Sequence, residues 1–280
     1  MRVEVLKHES PLLPEPVNSY RVSAGGSTFY IDAGLSSLPE GSVVLLTHHH
    51  WDHVYGVALS SGLRICAPQD VIKAIDGGRV LARVESLMHA IGHKGRPGPV
   101  SVYARLYDDI REALDRHTLY GLEDCPVSGV EAVRCPGHSE DHVCYIIGEA
   151  SFLGDNYVTY TTSTTLTSPL EYIKSALGIL GHEWRTAYPG HGTPTSREAY
   201  AEWLSRVVER KLSRMARIAS LAGPEPIGLD KLLEMVYGVV GDEALLFLAA
   251  RNLVGYLKAL EDLGAVVVDR SRSPWTVSRA

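Results

Sequence analysis

Residues Val43 to Leu46 form a short apolar run that passes directly into Thr47-His48-His49-His50-Trp51-Asp52-His53, and this junction constrains the fold more than any other segment. An apolar run of this length that stops at a polar cluster reads as a buried strand ending where its side chains have work to do. Side chains alternate along an extended chain, so His48, His50 and Asp52 are expected on one side and His49 and Trp51 on the other. A turn then brings His53 to the first group. Three imidazoles and a carboxylate gathered within six residues are costly to desolvate together unless cations offset their crowding. His49 is expected to be a bystander whose ring packs or meets solvent.

One such cluster supplies too few ligands to close two metal sites. Three further candidates stand at the ends of expected strands: Cys135-Pro136-Gly137-His138, Phe152-Leu153-Gly154-Asp155 and Tyr188-Pro189-Gly190-His191-Gly192. Each carries glycine where a tight turn must aim a side chain. A lone histidine in a loop is ordinarily a satisfied polar residue, but four ordered clusters together point to a metal centre.

The rest of the chain supplies a scaffold for these turns. Val3 to Leu6, Ser19 to Ser23, Thr28 to Asp32 and Val43 to Leu46 read as strands, with a hairpin at Gly25-Gly26. A stretch from about residue 70 to 125 lacks β-branched runs, shows helical spacing at Val80, Val84, Leu87 and Met88, and reads as a largely helical insertion. Strands return at Gly129 to Arg134, Val143 to Ile147 and Ser151 to Leu153, followed by a helix from Leu170 to Leu180. Strands followed by helix thus occur twice, which predicts an α/β protein with a four-layered αββα sandwich. A long amphipathic helix spans Glu198 to Leu221, with its basic residues on the exposed face. Beyond Gly223-Pro224 come helices near Leu229 to Tyr237 and Asp242 to Leu263, then strands at Val266 to Asp269 and Trp275 to Val277. Helix, helix, hairpin describes a winged helix. The expected organisation is a catalytic domain over 1–222 and a small winged-helix-like domain over 223–280.

Composition excludes several classes. A hydrophobic fraction of 45% and a charged fraction of 21% are those of a folded globular chain. A net charge of −6 gives no general attraction to nucleic acid. The first ten residues contain Arg2, Glu4, Lys7 and Glu9, unlike a signal peptide, and no apolar run reaches membrane-spanning length, so a cytoplasmic protein is expected. Cys66, Cys125, Cys135 and Cys144 show neither a C-x-x-C pair nor a disulfide-scaffold spacing, and are expected to be small buried residues.

The ordered motifs T-H-x-H-x-D-H, P-G-H, G-D and P-G-H-G, spread over residues 17–192, resemble the metallo-β-lactamase superfamily. The resemblance implies that His48, His50 and His138 hold a first metal, that Asp52, His53 and His191 hold a second, and that Asp155 bridges them. Five imidazoles and two carboxylates without a thiolate suit two zinc ions and also accommodate iron or manganese. In the mechanism so implied, a metal-bridging hydroxide attacks an ester or thioester carbonyl or a phosphodiester phosphorus. Asp52 orients that nucleophile and relays a proton. His142 is expected either to donate a proton or to support the ligands from behind.

Within the superfamily, Asp155 stands where true metallo-β-lactamases often have a cysteine, and His50 where flavo-diiron oxidoreductases have a glutamate. Two subfamilies are similar to the catalytic part: glyoxalase II, which cleaves hydroxyacylglutathione, and lactamase-β-like proteins with a C-terminal winged helix, which include a single-stranded-RNA endonuclease. The segment Arg251-Asn252-Leu253-Val254-Gly255-Tyr256-Leu257-Lys258-Ala259-Leu260-Glu261-Asp262-Leu263-Gly264 resembles the second group. Two other readings stay open, a mono-iron persulfide dioxygenase and a non-enzymatic winged-helix regulator. Residues 225–280 carry six Lys/Arg against eight Asp/Glu, so packing on the catalytic domain or in a homodimer is expected of the tail rather than duplex binding. Between residues 79 and 105, five basic residues face only Glu85. Lys94, Arg96 and Tyr103 are therefore the candidates for holding a small anionic or carbonyl substrate, or single-stranded RNA.

Overall fold

The structure is a computed structural model that describes residues 1–13, 15–94, 100–159, 167–239 and 241–280. A large mixed sheet organises it. Strands β1 (Arg2–His8), β2 (Val17–Ala24) and β3 (Ser27–Ile31) run antiparallel, with Tyr20 opposite Ile31. Strands β4 (Val43–Leu45), β5 (Arg64–Cys66) and β6 (Thr118–Tyr120) extend the sheet in parallel. On the other side, β7 (Glu131–Arg134), β8 (Val143–Ile147) and β9 (Ala150–Val158) are antiparallel, while β10 (Thr186–His191) joins β9 in parallel and carries the short β11 (Thr195–Ser196). The two halves are linked through one pair, His191 of β10 with Val17 of β2.

The sheet curls so that its halves share an inner core of Tyr20, Phe29, Ile31 and Leu45 with Tyr145, Ile147 and Phe152. Helices cover the outer faces. On the first half lie α1 (Trp51–Val54), α2 (Gln69–Ala74) and α4 (Val100–Ala113), which bury Val54, Val71 and Ile110 against Val44 and Ile65. On the second, α5 (Pro169–Ile179) and α6 (Arg197–Leu221) bury Tyr172, Tyr200 and Trp203 against Leu153 and Ala187. All residues of β8 and β9 are buried, as strands covered on both faces must be.

A separate core joins α3 (Gly77–Ala90) to the C-terminal elements β12 (Ile227–Gly228), α7 (Leu229–Tyr237), α8 (Glu243–Asp262), β13 (Val266–Asp269) and β14 (Thr276–Arg279). Val84, Met88 and Val100 of the insertion pack there with Leu253, Tyr256 and Leu257 of α8. Strands β12, β14 and β13 form a small antiparallel sheet in that order. Asp76, Ser196 and Asp242 cap α3, α6 and α8 by accepting backbone N–H bonds three residues on.

Two expectations need correction. The 70–125 segment is helical in α2, α3 and α4 but ends in β6, which pairs with β5, a strand that local pattern did not reveal. Strands of three residues are too short to show a period, and parallel pairing with buried neighbours defines them instead. The cysteine reading also changes. Cys66 at the end of β5 and Cys125 after β6 form a disulfide, because pairing of the two strands brings their Cα atoms to 5.6 Å across a sequence separation of 59. Cys135 and Cys144 are free and buried, as expected.

Candidate metal centre

The carboxyl ends of β4, β9 and β10 and the turn between β7 and β8 converge on one end of the sheet, the usual place for a ligand where parallel strands end. The side chains of His48, His50, His138 and Asp155 form one group of potential donors there, and those of Asp52, His53 and His191 form a second. In the first, His48 Nε2 and His138 Nε2 lie 2.9 and 2.8 Å from His50 Nδ1. In the second, His191 Nε2 lies 3.3 Å and His53 Nε2 3.9 Å from Asp52 Oδ2. Asp155 spans both groups. Its Oδ2 is 3.3 Å from His138 Nε2, while its Oδ1 is 3.2 Å from His53 Nε2 and 3.6 Å from His191 Nε2.

Local backbone geometry explains this convergence. Asp52 and His53 are delivered by the helical turn α1, so the extended alternation expected through Asp52 holds only as far as His50, whose φ and ψ are −60° and 136°. Gly154 has a φ of +46°, where a side chain is strained, and a Cβ there would meet His142 Nε2 at 2.7 Å. At Gly190 a Cβ would lie 2.2 Å from Asp155 Oδ1 and 2.9 Å from His53 Cε1, so only glycine leaves room for both.

Hydrogen bonds behind the donors fix which ring nitrogen faces inward. Asp32 accepts the Thr47 amide (2.8 Å) and the Thr47 hydroxyl (2.9 Å), and its Oδ2 lies 2.8 Å from His53 Nδ1. With its proton given to Asp32, the Thr47 hydroxyl accepts from His48 Nδ1 at 2.9 Å. His191 Nδ1 similarly donates to the Pro16 carbonyl at 3.0 Å. In their neutral forms His48, His53 and His191 therefore present Nε2 lone pairs to one another and to two carboxylates. Such an arrangement repels itself unless cations or protons sit between, which is how the donor set fits divalent metal ions.

Protons and metals compete for these positions. Burial, then neighbouring imidazoles, pushes His48 and His50 well below the usual histidine range, and burial takes His138 to about 4. Burial also lowers His53 and His191, but the carboxylates of Asp155 and Asp52 outweigh it and hold both above the ordinary value. Burial raises Asp155, yet His191, His53 and His138 bring it well below the carboxylate range.

The centre opens on a cleft of about 1340 Å³. His50, Asp52, His138, Asp155 and His191 lie on its floor, and the walls come from α3, α4 and α8. Phe247, Leu248, Arg251 and Val254, one face of α8, line it, so the C-terminal region contributes directly to the site.

In shape the chain superposes on a metallo-beta-lactamase family protein from Thermus thermophilus with a TM-score of 0.71, at 17% identity over 99% of this chain and 98% of that one. The fold is that of the metallo-β-lactamase superfamily. A beta-lactamase domain protein from Burkholderia ambifaria gives the same TM-score of 0.71, at 15% identity over 99% and 91% of the two chains. No protein-family model matches the chain. Among curated relatives, an atrochrysone carboxyl ACP thioesterase of Cryptosporiopsis sp. (strain 8999) is 36% identical over 38% of this chain and 37% of its own. One of Aspergillus fumigatus is 27% identical over 71% and 56%. The beta-lactamase-like protein 2 homolog of Drosophila melanogaster is 26% identical over 65% and 61%. The chain thus spans less than two thirds of the length of each of these relatives.

On the metallo-β-lactamase fold, the other candidate residues are placed unevenly. Tyr103 lines the cleft, its ring 6.0 Å from that of Trp51. Lys94 does not line it. That residue lies beyond the end of α3, in a small separate depression with Glu85, His89 and Pro274, so its expected contact with substrate is corrected. Arg96 lies outside the described residues. His142 is fully buried, its Nε2 accepting the Asp155 amide at 3.2 Å and its ring stacked on His48 with centroids 4.8 Å apart. Burial, then His138, takes it to about 3. Of the two roles expected of it, its burial and the bond from the Asp155 amide favour support of the ligands from behind over proton donation.

His49 is more than a bystander. Its amide and ring Nδ1 both bond Asp141, at 3.0 and 2.9 Å, which pins the T-H-H-H turn to the β7–β8 connection. Sequence reading missed Asp32, Thr47 and Asp141 in these supporting roles. Asp32 had a signal, since it is an aspartate closing an apolar strand ahead of Ala33-Gly34; the structure gives it a positive φ of 60°. Asp141 and Arg251 had none. No helix among the described residues is long and apolar enough to cross a membrane.

Proposed function

We propose that this chain is a dinuclear metal-dependent hydrolase that cleaves an acyl thioester. The observation that carries the reading is the pair of donor groups joined through the two oxygens of Asp155 at the floor of a deep cleft. His48, His50 and His138 would hold one divalent ion and Asp52, His53 and His191 the other, with Asp155 within reach of both groups; zinc suits the donors, and iron or manganese would also fit them. Such ions, when bound, supply a Lewis acid and a water ionised near neutral pH. Asp52, at the cleft floor, orients the attacking group and takes its proton. Asp32, Thr47 and His142 hold the donors in place, and Trp51 and Tyr103 give an aromatic wall to the acyl group.

The thioester is favoured over the other bonds because sequence relatives of this chain are named as acyl carrier protein thioesterases, and because the cleft walls are largely apolar. The order of β12, α7, α8, β13 and β14 supports a winged-helix-like reading of the tail. In that reading it serves as a cleft wall, in keeping with its excess of acidic residues. The test is elemental analysis of the purified chain with parallel assays on an acyl thioester, hydroxyacylglutathione, a phosphodiester and single-stranded RNA. Two metals per chain with preferential turnover of the acyl thioester is the expected result. Preference for hydroxyacylglutathione moves the assignment to a glyoxalase II activity, and RNA cleavage to an endonuclease. One iron per chain with oxygen uptake, or two metals without hydrolysis of any of these, overturns the proposal.

A further inference from the structure

Two arginines from distant parts of the chain line the same cleft, near enough for the charge of Arg83 to act on Arg251. Arg83 comes from α3 and Arg251 from α8, and both line the cleft that opens over the metal-binding floor. Neither guanidinium makes an ion pair or hydrogen bond among the described residues; the Phe247 ring, 5.9 Å from Arg251 Cζ, is a cation–π partner only. Burial, with the charge of Arg83 further down the order, brings Arg251 down to about 10, so the two cations lie within one another's field. Asp141 is the carboxylate that acts on Arg251, but its oxygens are already committed to the amide and ring of His49. Tyr107, which also acts on Arg251, is buried and held well above its ordinary value, chiefly by burial, so it stays a neutral phenol.

Arg83 is exposed and Arg251 half-buried, so the partly desolvated Arg251 charge, with no ion-pair partner among the described residues, gains most when an oxyanion enters beside both. Guanidinium groups suit that ligand because they bond carboxylate or phosphate oxygens in pairs. We propose that Arg83 and Arg251 form an anion clamp that holds a carboxylate or phosphate of the substrate at a distance from the bond being cleaved. This rests on the hydrolase reading and adds the substrate's charge to it. It also gives the tail a direct role, because α8 supplies both the clamp arginine and, through Phe247 and Val254, part of the apolar lining of the same cleft.

The test uses the full metal-loaded chain and three thioesters: neutral S-butyryl-N-acetylcysteamine, S-glutaryl-N-acetylcysteamine with a carboxylate on the acyl side, and S-butyryl-phosphopantetheine with a phosphate on the thiol side. The readout is the ratio of kcat/KM for each charged substrate to that for the neutral one. In Arg251→Ala that ratio falls about ten- to a hundredfold, mainly through KM, as expected for loss of a charge-assisted bond. Arg251→Lys retains part of the ratio, and Arg83→Ala gives a smaller fall. A fall for the glutaryl substrate places the anion on the acyl side, and a fall for phosphopantetheine on the thiol side. Ratios unchanged in variants with wild-type metal content and melting temperature overturn the clamp. Calorimetric titration with inorganic phosphate separates the two proposals. Weaker binding to Arg83→Ala/Arg251→Ala than to wild type, with no thioester hydrolysed, leaves the clamp standing and sinks the hydrolase. Equal phosphate binding in both proteins overturns the clamp itself.

Discussion

The floor and the wall of the cleft are built on different principles. The donors of the floor are delivered by strands, glycine turns and the helical turn α1, and three of their rings are locked from behind: His48 by Thr47, His53 by Asp32 and His191 by the Pro16 carbonyl. The wall is assembled from α3, α4 and α8, far apart in sequence, and coheres through apolar burial in a core of Val84, Met88, Leu253, Tyr256 and Leu257. Floor geometry is therefore directional and intolerant of change, whereas wall geometry depends on shape and total burial. Substitutions in the floor should act on metal and chemistry, and substitutions in the wall on stability and substrate choice.

The largest expected effect lies in the floor. Asp155→Ala removes the one carboxylate that reaches both donor groups, and should lower kcat/KM by at least ~10³-fold on every substrate, with metal content reduced. Wild-type turnover with unchanged metal in that variant breaks the distinction at once. One layer behind, Asp32→Asn should weaken metal affinity by roughly 10- to 100-fold, measured by chelator competition, because His53 and Thr47 lose the charge that orients them.

In the wall, Leu253→Ala empties a fully buried position and should destabilise the fold by about 2–4 kcal/mol in denaturant unfolding. Metal content per folded chain should stay at the wild-type value. A drop in metal stoichiometry there would mean that floor and wall are one mechanical unit. The smallest effect, read per pH unit, sharpens the comparison away from both. Lys211 is buried on α6 with its ammonium 4.3 Å from the Tyr172 ring centroid, and burial, then Arg214, lowers it from 10.5 to about 7. The unfolded chain therefore binds this proton more readily than the folded one between those values. Stability should rise as pH increases from about 7 to 10.5, with a slope of at most about 1.4 kcal/mol per pH unit, and this group's contribution should be flat below that window. Lys211→Met should remove that slope in denaturant unfolding at several pH values, without moving metal content.

How much could be read beforehand follows the same division. The seven donors were legible because each sits in a short motif where an apolar run meets a glycine or a histidine cluster, and the structure brings all seven into two adjoining groups. Helices α3, α6, α7 and α8 were legible from their spacing. Strands β5 and β6 and the Cys66–Cys125 bond were not, because three-residue strands have no period and a bond between residues 59 apart has no local signature. His142 was visible with both roles open, and only its burial and the bond from the Asp155 amide favour the positioning one.

The sequence by itself determined which side chains form the floor, since strand ends and glycine turns fix side-chain direction over a few residues. Only the tertiary structure decided the wall: that α8 returns to the cleft, that Arg251 joins Arg83 in its lining, and that Lys94 does not. The physical reason is range. Backbone preferences act between neighbours and are written in local pattern, whereas hydrophobic burial has no direction and no preferred sequence separation, so its partners become known only when the chain has packed.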